Sequence, residues 1–458
     1  MRSISHKYSL DPVDVPRVET RYRRIITKLP VPESIGIFAK LDILEPSSMR
    51  SQPPIVIHRS EGFNVFDRWG NKWLDWSSGV LISNVGNSHP KIVKSIRDLL
   101  DRPLLSTYVF AHEQRAELLA LLASIAPDTN YKVFLLSTGS EAVENCIKLA
   151  KTYGIEKCGP EKRIFISFKN AFHGRTMGAQ LAGGMDSQKK WLGDLDDSFV
   201  QVPFPDGHMC QDNSFGVFLT TLEKKGIKGY QVCAVMSESY QSVGPYFFPK
   251  DYAQRLEQWC REHDALLIMD EIQAGFGRTG KWFTFQHYGI KPDLIACGKG
   301  ITSSLPLSAV IGRSDVMELY PPGAMTSTHS GSPVPVAAAI ASINLLKEGP
   351  YMKNVQDLDP LMRDNLISIQ KLHPKHVACV RSLGLVAGMQ ILNPETALPD
   401  GETALKLNEK CFHKGLLMYA PVGEYSNCVK IAPPLSITRD ALEEGMGVLR
   451  QAMDEVLT

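Results

Sequence analysis

The sequence predicts an α/β protein with a large domain on a mostly parallel sheet and a smaller α+β domain. Two observations carry that prediction. From about residue 90 to residue 345, short apolar runs alternate with amphipathic stretches, the order expected when helices cover both faces of a parallel sheet. Beyond that the order changes to helix, strand, helix, strand and a terminal helix. The expected divisions are 1–90 for an N-terminal arm and a segment of the small domain, 91–345 for the large domain, and 346–458 for the C-terminal small domain.

The elements follow in order. Residues 1–54 are rich in proline and charge, with turn signals at Pro30, Pro32, Pro46 and Pro53–Pro54, and read as an extended arm with little regular structure. Apolar runs flanking Gly70–Asn71 suggest a small antiparallel hairpin. VFLLS (133–137) precedes a helix with Val143, Ile147 and Ala150 on one face. IFISF (164–168), CAVMS (233–237), LLIMD (266–270), LIAC (294–297) and LSAVIG (307–312) read as strands, with an amphipathic helix from Tyr252 to Glu262 among them. A helical pattern runs from Pro333 to about Leu346. The small domain should hold helices around Pro360–Leu372 and Glu402–His413, strands at 386–392 and 429–432, and a terminal helix from Thr438.

Composition removes several function classes. Lys plus Arg number 50 and Asp plus Glu 49, so the net charge of +1 gives no overall electrostatic footprint for nucleic acid or an anionic membrane. A content of 43% hydrophobic and 22% charged residues argues against global disorder. The nine cysteines are odd in number and form no C-x-x-C pair, which argues against a disulfide framework or structural zinc and for a reducing compartment. The N-terminus lacks an apolar h-region, and the most apolar stretch, Val334 to Leu346, is too short to span a bilayer. A soluble cytoplasmic protein is expected.

Some motif matches fail on their context. GFGRTG (275–280) fits G-x-G-x-x-G, and with Lys281 it fits G-x-x-x-x-G-K. Trp282 stands where a P-loop needs a hydroxyl, and EIQA separates the glycines from the preceding strand, so an active-site loop is the better reading. His112–Glu113 begins H-E-x-x-H, but Ala116 occupies the second histidine position.

Four segments describe one site between them. In LLSTGSEAVENCIKLA (135–150) a strand, a small-residue turn and a helix follow in order, and the free N–H groups of Gly139 and Ser140 form an anion pocket. NAFHGRT (170–176) offers Phe172 as a stacking face and Arg175 as a carboxylate fork. Asp270 ends the apolar strand of LLIMDEIQAGFGRTG (266–280), where a carboxylate needs a cation. Lys299 follows the strand LIAC between Gly298 and Gly300, and desolvation there would lower its pKa and make it a usable amine nucleophile. Taken singly, each has an ordinary explanation as a turn, a loop or a helix cap. Together they supply a phosphate cradle, a ring face, an acid for a ring cation and a Schiff-base lysine, the needs of pyridoxal 5'-phosphate.

On these residues the chain resembles the class III (ω-amino acid) aminotransferases of PLP fold type I, including the 4-aminobutyrate and ornithine aminotransferases, from about residue 55 to the C-terminus. The most specific match is MDEIQAGFGRTG with D-L-I-A-C-G-K-G some twenty residues on. The resemblance implies that Lys299 is the Schiff-base lysine and proton shuttle, that Asp270 pairs with the ring N–H, and that Gln273 lies near the ring hydroxyl. It implies Phe172 on the ring, Gly139 and Ser140 on the phosphate, and His173 among the cofactor contacts. The family's T-x-x-G-[NS]-P motif appears at Thr328–Pro333, which implies that Thr328 reaches the phosphate of another subunit's cofactor in a homodimer. Whether dimers pair into tetramers stays open.

For substrates, the resemblance implies contacts from Arg175, Lys430, Glu238, Val80 and Tyr108. Arg175 resembles the residue that holds a carboxylate distal to the amine, which favours ω-amino acids or glutamate. Two positions depart from the family pattern: Val243 replaces its gating Glu, and Lys430, in VKIAPPL, stands where an Arg binds the α-carboxylate. Lysine keeps the charge but cannot form the bidentate fork, so the substrate range should differ from that of a standard 4-aminobutyrate enzyme. The expected activity is transamination between an amino acid or ω-amine and a 2-oxo acid. An amino-acid racemase or epimerase on the same scaffold is the alternative, because these motifs do not separate the two. A nucleotide-binding protein using GFGRTG is a third reading, opposed by Trp282.

Overall fold

Very short strands build the N-terminal sheet. In the computed structural model, which describes residues 8–193 and 196–457, these are β1 (Val18–Glu19), β2 (Arg24–Ile25), β3 (Arg59–Glu61), β4 (Asn64–Phe66) and β5 (Lys72–Asp75). They pair antiparallel in the order β1-β2-β5-β4-β3. The hairpin expected about Gly70–Asn71 is the β4–β5 pair, with Phe66 opposite Lys72. Beneath it Trp73 stacks on Phe412, ring centroids 5.5 Å apart, in a core with Ile25, Leu29 and Val65.

The expected structureless arm is corrected here. Besides β1 and β2, Ile35–Leu44 forms a helix, α1, entered through a 3-10 turn at Pro32–Ser34. Proline is tolerated in a first turn, where its missing N–H has no helical partner. None of the α1 residues is buried, and Ile43 is 82% exposed, so no one-sided apolar stripe marked it in the sequence.

The next strands are β6 (Tyr131–Leu136), β7 (Ile164–Phe168), β8 (Phe199–Val202), β9 (Val232–Glu238), β10 (Tyr240–Gln241), β11 (Tyr246–Phe247), β12 (Leu266–Asp270), β13 (Leu294–Cys297) and β14 (Ser308–Arg313). Seven of them form one sheet in the order β6-β14-β13-β12-β9-β7-β8, while β10 and β11 pair as a hairpin. The sheet is parallel except for β14, which runs against both its neighbours. Only residues 298–307 link β13 to β14, too few for a helical crossover, so the chain returns antiparallel. The long helix α2 (Gly139–Cys158) buries Val143, Ile147 and Ala150 against the sheet, the face expected from its periodicity.

The C-terminal part adds β15 (Val377–Leu383), β16 (Val386–Ile391), β17 (Leu416–Leu417) and β18 (Cys428–Ile431), with helices Gly401–His413 and Arg439–Leu457. β15, β16 and β18 form an antiparallel sheet, and β17 joins β5 in parallel. The helix expected around Pro360 begins earlier, at Tyr351, and carries Pro360 within it. By contact the chain divides into two compact units, Met1–His89 with Asn354–Thr458, and Pro90–Lys353. Among the described residues no helix is long and apolar enough to cross a membrane.

Candidate active site

Six strands of the large sheet deliver their carboxyl ends to one edge. β7, β8, β9, β12 and β13 are mutually parallel, and β6, antiparallel to β14, runs in the same sense. Ligands in open α/β sheets gather at that edge. Register sets Glu238, the last residue of β9, opposite Asp270, the last residue of β12, and Asp270 opposite Ala296 of β13, three residues before Lys299.

A cavity of about 340 Å³ lies there, lined entirely by residues of the Pro90–Lys353 unit. It brings together nine of the sequence-identified residues: Gly139, Ser140, Phe172, His173, Arg175, Glu238, Asp270, Gln273 and Lys299. Thr138, Gly174, Tyr240, Ser242, Ile272 and Ala274 complete the wall and had not been singled out. Four of them, Thr138, Gly174, Ile272 and Ala274, sit inside the quoted motifs, so adjacency to the chemical residues is the available signal.

The helix start is prepared as an anion site. Thr138 caps α2 by accepting the Glu141 N–H, and Glu141 accepts the N–H groups of Thr138 and Ser137 in return. That leaves the Gly139 and Ser140 N–H groups, which donate to no described residue, at the positive end of a 20-residue helix. Gly174 faces the same turn with φ 134°. A Cβ there would lie 2.3 Å from Ser140 Oγ, so only glycine permits this approach.

The buried acid is held from two sides. Asp270 Oδ2 lies 2.8 Å from His173 Nδ1, and Oδ1 accepts the Ile272 N–H at 3.0 Å. Burial opposes the imidazolium, but the hydrogen bond and charge of Asp270, with Glu238 nearby, outweigh it and raise the His173 pKa. His173 Nε2 is buried with no partner among the described residues. Lys299 lines the cavity with φ 43°, a left-handed conformation that costs a side-chain-bearing residue about 1–2 kcal/mol. Burial lowers its pKa, opposed by the charges of Asp270 and Glu238, and favours the neutral amine.

Glu238, expected among the substrate contacts, is turned to the backbone. Oε2 accepts the Phe172 N–H at 3.0 Å and Oε1 the Ser242 N–H at 2.9 Å, so the carboxylate ties two cavity walls together. Burial raises its pKa, with His173 opposing. The Arg175 guanidinium is exposed and lies 5.4 Å from the centroid of the Phe172 ring. The GFGRTG segment does not line the cavity; all its residues are buried, and Arg278 is 0% exposed. Its expected role as an active-site loop is corrected to that of packed support behind Ile272–Ala274.

Four expected residues lie off the cavity wall. Tyr108, 41% exposed, and Thr328, also exposed, belong to the same unit but do not line it. Val80 and Lys430 belong to the other unit. Val80 sits in a left-handed turn running from Ser78 to Leu81, its φ 63° unusual for a β-branched residue. Lys430, on β18 opposite Gly388, is only 1% exposed and so does not point to solvent.

The donor set fits pyridoxal phosphate on this geometry: two unpaired helix-start N–H groups for a phosphate, a ring face, a buried acid already oriented by histidine, and a buried amine. Residues 47–453 match the family model described as aminotransferase class-III. The chain is 28% identical to a 4-aminobutyrate aminotransferase of Mycobacterium leprae, over 94% of this chain and 98% of that protein. It is 30% identical to a leucine/methionine racemase of Thermococcus litoralis, over 90% of this chain and 94% of that one. Among solved structures it resembles a Bacillus anthracis aminotransferase, with 27% identity and a TM-score of 0.83, covering 92% of this chain and 99% of that one.

Proposed function

The chain belongs to the class-III aminotransferases, pyridoxal-phosphate enzymes of fold type I, and on that premise we propose how its own residues move an amino group from an amino acid or ω-amine to a 2-oxo acid. Pyridoxal phosphate, when bound, supplies an aldehyde for the incoming amine and an electron-poor ring that stabilises the carbanion left by proton loss. The N–H groups of Gly139 and Ser140 would hold its phosphate, Phe172 would cover one ring face, and Gln273 would serve the ring hydroxyl. Asp270, whose carboxylate His173 orients, would keep the proton on the ring nitrogen. Lys299 Nζ would be the amine that holds the cofactor's aldehyde carbon. Burial lowers the Lys299 pKa, which favours the neutral form of Nζ that would take the proton from the donor carbon. The observation that carries this reading is the convergence of Asp270, Lys299 and the α2 start on one cavity.

Arg175 at the cavity wall receives a carboxylate distal to the reacting amine, which points to ω-amino acids and glutamate as substrates. In this reading Lys430 and Val243 alter the dual recognition of an ω-amino donor and 2-oxoglutarate, since lysine lacks the fork and valine cannot mask a cation. The test is a panel of amino donors against pyruvate and 2-oxoglutarate, with Lys430→Ala measured in a glutamate half-reaction. An unchanged half-reaction rate rejects a role for Lys430. Similarity to a racemase keeps a second reading in view. A single amino-acid enantiomer incubated without a keto acid distinguishes it, because a racemase needs no acceptor.

The enzyme works as a homodimer in this reading. Support comes from the exposed apolar run of Leu100, Leu104, Leu105, Tyr108, Val109 and Phe110, the last 76% exposed. An exposed Thr328, off its own chain's cavity, suits the partner's phosphate. A cytoplasmic location is supported by the nine free cysteines.

A further inference from the structure

The N-terminal sheet carries charge in an arrangement that the reaction does not use. Register sets Glu19, Arg24, Lys72, Phe66 and Arg59 opposite one another, strand by strand, across β1, β2, β5, β4 and β3. Directly opposed residues share a face, so this row presents three cations and an aromatic ring on one side. Arg24 and Lys72 are immediate cross-strand neighbours, and like charges so placed destabilise a sheet.

Nearby acids only partly offset this charge. Glu19 lies 3.6 Å from Arg24 but also 3.2 Å from Arg17. Glu61 pairs with Arg59 at 3.1 Å, and the Arg59 guanidinium lies 3.6 Å from the centroid of the Phe66 ring. Lys72 Nζ donates to the Arg21 carbonyl at 2.7 Å. Burial lowers the Lys72 pKa, Glu444 opposes, and Arg24 and Arg59 lower it further; Glu444 is itself engaged by Arg23 at 2.6 Å. Two more basic residues, His58 and Arg68, line the same cavity as the cations of this row. The side chains of His58 and Arg68 make no hydrogen bond or ion pair with any described residue. Asp67, the acid in the same wall, is occupied: Oδ1 accepts the N–H groups of Trp69 and Asn71, and Oδ2 the Asn71 amide.

Arg24, His58, Arg59, Arg68 and Lys72 line one surface cavity of about 350 Å³, the size of a small-molecule site. We propose that this cavity binds a compact polyphosphate, its oxygens held by the guanidinium forks of Arg24, Arg59 and Arg68 and by the Lys72 ammonium. Several cations around a small volume match a multiply charged ligand better than a single carboxylate, and guanidinium forks match phosphate geometry. The shared chemistry is the phosphate chain, whether inorganic or the tail of a nucleotide.

The test uses holoenzyme, so that the phosphate cradle at α2 is already filled, titrated calorimetrically with inorganic pyrophosphate, ATP and adenosine. Pyrophosphate should bind saturably, one per chain, more weakly as salt rises. ATP binding tighter than pyrophosphate assigns the site to a nucleotide; ATP binding no tighter assigns it to inorganic polyphosphate. Arg68→Ala, in an exposed turn, should weaken pyrophosphate about tenfold without altering the cofactor's absorbance. Lys72→Met should raise Tm without anion, by relieving the opposed charges, and should lose the further rise that pyrophosphate gives the parent. Absent saturable binding, adenosine binding as tight as ATP, or pyrophosphate affinity unmoved by both substitutions would overturn the proposal.

Discussion

His173 Nδ1 and Asp270 Oδ2 lie 2.8 Å apart, though 97 positions separate them in the chain and both side chains are buried. The histidine therefore acts through the acid that it orients. His173→Ala removes a hydrogen bond to a charged group, worth about 1.5–3 kcal/mol, so kcat/KM should fall about 10–100-fold. His173→Gln restores a donor and should recover part of the loss. Steady-state kinetics with the absorbance spectrum recorded alongside checks this, since the lysine linkage to the cofactor should survive both changes.

Gly174→Ala should loosen the cofactor rather than the fold core. The added Cβ would sit 2.3 Å from Ser140 Oγ at a φ of 134°, so Ser140 or the turn must move. The strain is about 1–3 kcal/mol, placed on the phosphate cradle. Dialysis against phosphate, followed by the loss of visible absorbance, should show faster cofactor release than in the parent.

Glu271 makes stability depend on pH. It is buried beside Asp270 and accepts the N–H groups of Thr284 at 3.0 Å and Phe285 at 2.9 Å, with the Ser239 hydroxyl as a third donor. Burial outweighs these bonds and pushes its pKa from 4.5 to about 7. The folded state thus binds this proton more tightly than the unfolded chain. Its contribution to stability is full below the unfolded value and is lost as pH rises through about 7. Denaturant unfolding at pH 5 and pH 8 should show the parent losing about 2 kcal/mol more than Glu271→Gln across that interval.

Much of the large sheet was legible because its strands are short apolar runs buried on both faces: IFISF, LLIMD and LIAC coincide with β7, β12 and β13. The order of those runs also placed Asp270 and Lys299 at strand ends, where the cavity is found. Other features had no local signal. The exposed helix α1 lacks a buried face, and β8, with its brief alternation FVQV, is too short to stand out. The turn of Glu238 towards backbone N–H groups, and the meeting of His173 with Asp270, arise from sheet register between distant strands. The burial of Lys430 on β18 likewise depends on packing that its neighbours in sequence do not announce.

In the proposed function one amine, Lys299 Nζ, carries the cofactor. Holoenzyme reduced with borohydride, digested and mapped by mass spectrometry tests it directly. The visible absorbance band should disappear and a pyridoxyl group should be found on Lys299. A colourless purified protein that takes up no cofactor, or the label on any other lysine, would contradict it.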